Sequence, residues 1–345
     1  MSAKHLVSAA LLAGLAFAAC GPRAQPAEAP AKDVVTLNYQ PYISFGAFFV
    51  GEEEGCFAEQ GLELRYVPVA RSMDSLSAVA QGDLDVLSGY LSIGLLNAIA
   101  SGTQIRMVAD KGHVDPARPP QAALLVRRAL AEKGVLEKPE KLRGLRLALD
   151  YNVLETMMTE RALARAGLTL DDMEIVKLPP AGRITALANG TVDISLEGEP
   201  WMARALRARS AVIWLTDNDL IPGYQCFYVA FGPSLLRDRP EVGKRFMIAY
   251  LKSVRRYNQG KTDANVEVVA RRTKLDPDLV RQAGWPAIRS DGMIEPQSIL
   301  EFQDWAFSKG LLHRKLETDE FWDPSFAQHA DRLLNAGQPS VGGDG

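Results

Sequence analysis

From residue 34 onward the apolar positions fall into short runs and short stripes that alternate along the chain. Residues 34–39 read as a strand and 47–54 as a helix, and Gly61-Leu62 then leads into a strand at 63–67. A helix over 73–81, a strand at 84–88 and a helix over 93–101 follow. Strands alternating with helices about ten residues long predict parallel βαβ units. The second half repeats the grammar, with a strand at 145–149, a helix over 154–166, a strand at 174–178 and a helix over 183–189. Leu154, Met157, Met158, Ala162 and Leu163 supply the apolar stripe of its first helix.

The two halves also match in their turns. Gly61-Leu62 leads to Ala80-Gln81-Gly82-Asp83-Leu84-Asp85-Val86, and Gly167-Leu168 leads to Ala188-Asn189-Gly190-Thr191-Val192-Asp193-Ile194. The glycine after each helix suits a left-handed cap, and the aspartate follows where the chain enters the next strand. Two lobes of one type account for this better than two unrelated units that share turn chemistry. After a β-prone strand at 224–231, residues 234–260, 262–274, 277–283 and 296–309 read as helices, with Pro240 and Pro277 near helix starts. These helices bring no new sheet, so the first lobe is the partner available to them. The expected fold is α/β, two doubly wound βαβ lobes joined by a hinge. Lobe 1 takes residues 33–112 and 226–335, lobe 2 takes 113–225, and the hinge lies near 113–121 and 217–225.

The N-terminus reads as an address. Lys4 and His5 precede an apolar run from Leu6 to Ala19 that is short for a membrane span. Phe17-Ala18-Ala19-Cys20 places small residues before a cysteine, as in a bacterial lipobox, although Phe17 departs from the usual aliphatic residue. The expectation is a signal peptide over 1–19, acylation of Cys20 and a Pro/Ala-rich tether over 20–32; a plain secretory signal cut near Ala19 is the alternative. Residues 336–345 read as a disordered tail. Cys56 and Cys226 remain, as two buried thiols or as a disulfide in an oxidising compartment.

Composition narrows the function. The chain has 345 residues, 47% hydrophobic and 23% charged, with a net charge of −3. Disorder and a nucleic-acid footprint are therefore excluded as readings. In open parallel sheets, ligands collect beyond the carboxyl ends of the strands. The residues at those places are Gln40, Tyr42, Phe45, Ser88 and Tyr90 in the first lobe. In the second they are Asp150, Tyr151, Asn152, Arg183, Glu197, Glu199 and Trp201, with Tyr224 on the returning crossover. Tyr42, Phe45, Tyr90, Tyr151, Trp201 and Tyr224 would form aromatic walls for a small molecule, or each could pack a strand end. Asp150 and Asn152 also fit a helix N-cap. Arg183 could clamp an anion, and Glu197 and Glu199 could receive donors or pair with Arg204. No metal-ligand spacing, P-loop, G-x-G-x-x-G or G-x-S-x-G occurs, so neither cofactor nor catalysis is expected.

Glu54-Gly55-Cys56-Phe57-Ala58-Glu59-Gln60-Gly61-Leu62, the two Gly-x-x-Asp stretches, Ala100-Ser101-Gly102 and Glu199-Pro200 follow one another in an order that resembles the ABC-transporter substrate-binding proteins. The likeness is to their sulfonate/nitrate/taurine and thiamine-pyrimidine type and covers residues 34–240. It implies a lipid-anchored, monomeric receptor in the periplasm or at the cell surface, which closes two lobes over a ligand and docks on an ABC permease and its ATPase. Anion-binding members usually offer a Gly/Ser/Thr-rich turn where this chain has Asp150-Tyr151-Asn152. A carboxylate there opposes an anion, so an aromatic or heterocyclic ligand, neutral or cationic, is expected. The alternatives are an enzyme of the thiamine-pyrimidine synthase type, whose cysteine-rich cluster is missing here, and a ligand-sensing partner of a signalling protein.

Overall fold

The computed structural model describes residues 32–149 and 153–336. Cys20, the leader, the tail beyond Ala336, and Asp150, Tyr151 and Asn152 lie outside the described residues. In chain order the strands are β1 (Asp33–Tyr39), β2 (Leu62–Pro68), β3 (Val86–Tyr90), β4 (Arg106–His113) and β5 (Ala122–Arg127). They continue as β6 (Arg146–Ala148), β7 (Glu174–Val176), β8 (Ile194–Gly198), β9 (Ala211–Thr216) and β10 (Gln225–Phe231). They form two five-stranded sheets, ordered β2-β1-β3-β10-β4 and β7-β6-β8-β5-β9.

The sheets are built alike. In the first, β1 runs parallel to β2 and β3, and β10 is antiparallel to both its neighbours. In the second, β6 runs parallel to β7 and β8, and β5 is antiparallel to both of its neighbours. Each antiparallel strand is the one that has just crossed from the other lobe. The two crossovers touch where Val114 N–H donates to Tyr224 O at 2.9 Å and Gly223 N–H to Val114 O at 3.0 Å. The chain is thus an α/β protein of two lobes joined by paired crossings, each sheet mixed rather than wholly parallel.

The repeated turn is structural. Gly82 and Gly190 end their helices at φ 84° and 78°, a conformation that costs other residues a steric clash. Asp85 then ties β3 to β1: its Oδ2 accepts from Thr36 N–H at 2.8 Å and from the Thr36 hydroxyl at 3.0 Å. Asp193 does the same between β8 and β6, accepting from Arg146 N–H at 3.1 Å and Arg146 Nε at 2.9 Å, with Arg127 Nη2 also at 2.9 Å. Burial alone would raise the Asp193 carboxyl, and the Arg146 and Arg127 hydrogen bonds hold it below the usual range. Asp193→Ala is therefore expected to cost about 2 kcal/mol in urea unfolding, since it strands a main-chain donor and two half-solvated arginines. A loss under about 0.5 kcal/mol would make the carboxylate a surface ornament.

Aromatic packing holds the C-terminal helices on the first lobe. Phe48 of the Gly46–Glu53 helix meets Tyr250 of the Pro240–Tyr257 helix at 4.9 Å. A Cβ on Gly51 would lie 1.8 Å from Ser253 Oγ, so glycine sets the closeness of these helices. The stretch 234–260 is not one helix: a π-turn at Ser234–Asp238 precedes Pro240, which opens the long helix. The Pro296–Ser308 helix also reaches the second lobe, where Trp305 Nε1 donates to Glu160 Oε2 at 2.8 Å and Arg161 pairs with Glu301. No helix among the described residues is long and apolar enough to cross a membrane.

Candidate functional site

The carboxyl ends of β1 and β3 face those of β6 and β8 across a seam between the lobes. On one flank Leu154 N–H donates to Leu91 O at 3.1 Å. On the other, Gly284 N–H donates to Glu199 Oε1 at 2.8 Å. Three aromatic residues expected at the seam are half-buried there. Tyr42, just after β1, has Trp201, Arg183, Glu197 and Glu155 of the second lobe as its polar neighbours, and burial raises its phenol. Tyr90 ends β3 and packs on Phe227 at 5.0 Å, its phenol pushed well up by burial. Trp201 opens the Trp201–Arg207 helix, with the Arg204 guanidinium 4.8 Å over its ring.

The polar groups of the second lobe are deeply buried. Arg183 is 1% exposed; its Nη1 donates to Glu155 Oε1 at 2.5 Å and to Leu196 O at 3.2 Å, and its Nε donates to Leu178 O at 2.9 Å. Glu197 accepts from the Ser195 hydroxyl at 2.5 Å, yet burial pushes its carboxyl up to about 8. It therefore holds a proton at neutral pH and can donate. Arg183 Nη2 and Ser88 Oγ are buried with no hydrogen-bond partner among the described residues, whereas Trp201 Nε1 faces the Tyr42 hydroxyl across the seam. Buried polar atoms in folded proteins are nearly always paired, so the open Arg183 and Ser88 donors are exceptions with room for an acceptor.

Four expected site residues are engaged in the scaffold instead. Gln40 Nε2 donates to Ala70 O at 2.8 Å and pins the loop after β2. Phe45 is 1% exposed and packs on Tyr39 and Phe49, forming a wall rather than an open contact. Glu199 takes Gly284 N–H on one oxygen and Ala203 N–H on the other, so it staples the lobes; burial pushes its carboxyl up to about 7. Tyr224 is buried in the apolar cluster with Met157 at the crossover. Both described cysteines are free and buried.

Two residues escaped the strand-end reading. Lys111 of β4 is 2% exposed, and its ammonium lies 4.5 Å from the Phe45 ring and 4.8 Å from the Phe227 ring. Glu155 sits in the first turn of the Leu154–Arg165 helix as the partner of Arg183. Among the described residues no group of three His, Cys, Asp or Glu is placed to hold a metal ion.

The fold is shared with proteins of known structure. The ligand-binding component of an ABC-type import system from Staphylococcus aureus, solved with zinc bound, superposes with a TM-score of 0.73 at 16% identity, covering 87% of this chain and 99% of that one. The periplasmic nitrate-binding protein NrtA of Synechocystis PCC 6803 gives 0.73 at 13% identity, covering 90% and 91%. The desulfurization enzyme DSZB gives 0.62 at 17% identity, covering 89% and 100%. At these identities the likeness is one of fold. The model of the NMT1-like family matches residues 28–273, most of the chain, and the protein belongs to that family.

Proposed function

We propose that this protein is the solute receptor of an importer, which captures a small flat molecule between its lobes and hands it to an ABC permease. The observation that carries the reading is the seam itself: aromatic rings and open, buried donors reach it from both lobes. A ligand touching both lobes binds the shut form more tightly than the open one and so shifts the population toward closure. The Staphylococcus aureus import component and the nitrate-binding protein support the role by fold. On this reading an acyl chain on Cys20 holds the receptor at the outer face of a bacterial membrane, and the Pro/Ala-rich tether lets it reach the permease. The expectation of a neutral or cationic ligand rested on Asp150, outside the described residues; the described donors favour a ligand rich in acceptors.

A thermal-shift screen of pyrimidines, flavins, aromatic acids, sulfonates and amines tests this, because a ligand raises the melting temperature by mass action. A flat screen would end the proposal. Trp201→Ala is expected to weaken capture of any hit by about tenfold, the usual scale for a buried aromatic anchor, with the empty protein melting nearly as before. If instead the empty variant unfolds, the ring belongs to the core.

A second reading, catalysis on the same fold, is favoured by the likeness to the desulfurization enzyme. A thiol nucleophile needs a lowered pKa, whereas burial raises both Cys56 and Cys226. Incubating a screened hit with the protein and weighing it by mass spectrometry separates the two: a receptor returns it unchanged.

A further inference from the structure

Lys111 is a charge the scaffold does not use. Its one hydrogen bond among the described residues is to Ser44 Oγ at 3.3 Å, and no described carboxylate lies within ion-pair distance. Asp110, next to it in β4, is turned away and spent. Its Oδ1 accepts from Gly112 N–H and Gln225 Nε2, both at 2.7 Å, and its Oδ2 accepts from Arg289 N–H at 2.8 Å and sits 2.8 Å from His113 Nδ1. A buried ammonium without a counter-charge is costly, and this one is met only by the Ser44 hydroxyl and the Phe45 and Phe227 rings among the described residues.

Its position points to the seam. Ser44 and Phe45 lie in the turn that follows Tyr42, and Phe227 packs on Tyr90, whose phenol feels Glu155 and Arg183 of the other lobe. Lys111 therefore stands against the rings of Phe45 and Phe227 on the first lobe, while Arg183 Nη2 stands open on the second. Building on the receptor reading, we propose that the ligand is a planar aromatic acid whose carboxylate pairs with Lys111 and Ser44. Its ring would lie along Phe227 and Tyr90, and an acceptor at its far end would meet Arg183.

Acceptor strength selects a carboxylate over a sulfonate. The flanks of the Lys111 ammonium are the ring faces of Phe45 and Phe227, which offer no hydrogen-bond donor. Lys111 Nζ and Ser44 Oγ can donate to both oxygens of a carboxylate, each a stronger acceptor than a sulfonate oxygen, whose charge is spread over three atoms. Burial pushes Lys111 down to about 7, with Asp110 the one described charge acting on it. Capture of a carboxylate would restore its charge, so binding near pH 8 takes up a proton.

The experiment is calorimetry on the purified protein with benzoate, 4-hydroxybenzoate and phenylacetate, against benzamide and benzenesulfonate. The carboxylates should bind at least tenfold more tightly than the other two, and Lys111→Met should erase that advantage while the empty variant stays folded. At pH 8 the carboxylate binding heat should vary with the ionisation enthalpy of the buffer, a readout on the unaltered protein that survives if the variant fails to fold. Equal binding of benzamide or benzenesulfonate, an unchanged Lys111→Met, no carboxylate bound, or no proton uptake would each overturn the assignment. Should sulfonates or neutral heterocycles bind and lose affinity in Trp201→Ala, the receptor survives and the Lys111 assignment falls; if no small molecule binds, both fall.

Discussion

Arg183→Met is expected to cost about 3–5 kcal/mol of folding stability, the scale for removing one member of a buried ion pair. Arg183 lies in the Pro180–Asn189 helix and is 1% exposed. Its loss leaves the Leu178 and Leu196 carbonyls without their guanidinium donors and removes the ion pair to Glu155, which is 8% exposed. The pair itself need not be worth that much: two desolvated charges regain little by attraction. Arg183→Met combined with Glu155→Met should therefore recover much of the loss, because no carboxylate is left against an apolar group and methionines fill the space. Chemical unfolding of the wild type, both single variants and the double variant gives the coupling directly. A single variant that loses less than about 1 kcal/mol would mean that water already reaches the pair. The double variant should fold yet bind poorly, since the open Nη2 donor is missing.

Much of the scaffold was legible because turn chemistry and apolar runs coincide. Gly82 and Gly190 mark helix ends, and β1, β2, β3, β6, β7 and β10 lie within two or three residues of the expected strands. β4, β5 and β9 were not legible. β4 carries Asp110 and Lys111 at its centre, and a charged pair reads as a solvated loop, though both are almost wholly buried. β5 is the run Ala122–Arg127, directly followed by a helical turn, and a short apolar run has no period to tell strand from helix. The same blindness hid Lys111, the buried cation of β4. A search of strand carboxyl ends finds Tyr42, Tyr90 and Trp201, but β10 is antiparallel and brings its amino end, with Phe227, to the seam. Glu199 also stands at a strand end, where its oxygens accept from the Gly284 and Ala203 main-chain N–H groups, a use that no sequence pattern announces.

Gly284→Ala is expected to reduce ligand affinity by about ten- to a hundredfold while leaving each lobe folded. Gly284 has an ordinary φ, so its backbone does not demand glycine; space does. A Cβ there would lie 2.4 Å from Pro120 O, 3.1 Å from Gln121 Cα and 3.3 Å from Glu199 Cγ. The nearest of these are main chain and cannot swing aside. Trp285, the next residue, stacks on Tyr257 at 4.6 Å and fixes the loop to the first lobe, whereas Pro120 and Gln121 lead into β5 and Glu199 belongs to the second. The added methyl is thus a wedge between bodies rather than an insertion into one core. Overpacking of this kind costs about 1–3 kcal/mol, here charged to the shut form alone, and each 1.4 kcal/mol is about a factor of ten in apparent affinity. The wedge also pulls Gly284 N–H off Glu199, freeing a carboxylate that burial had raised to about 7. Small-angle scattering with saturating ligand should then give a larger radius of gyration than the wild type, with nearly the same melting temperature in the empty proteins. If the variant binds and compacts like the wild type, the Gly284–Glu199 contact persists in the open form, and closure must pivot elsewhere.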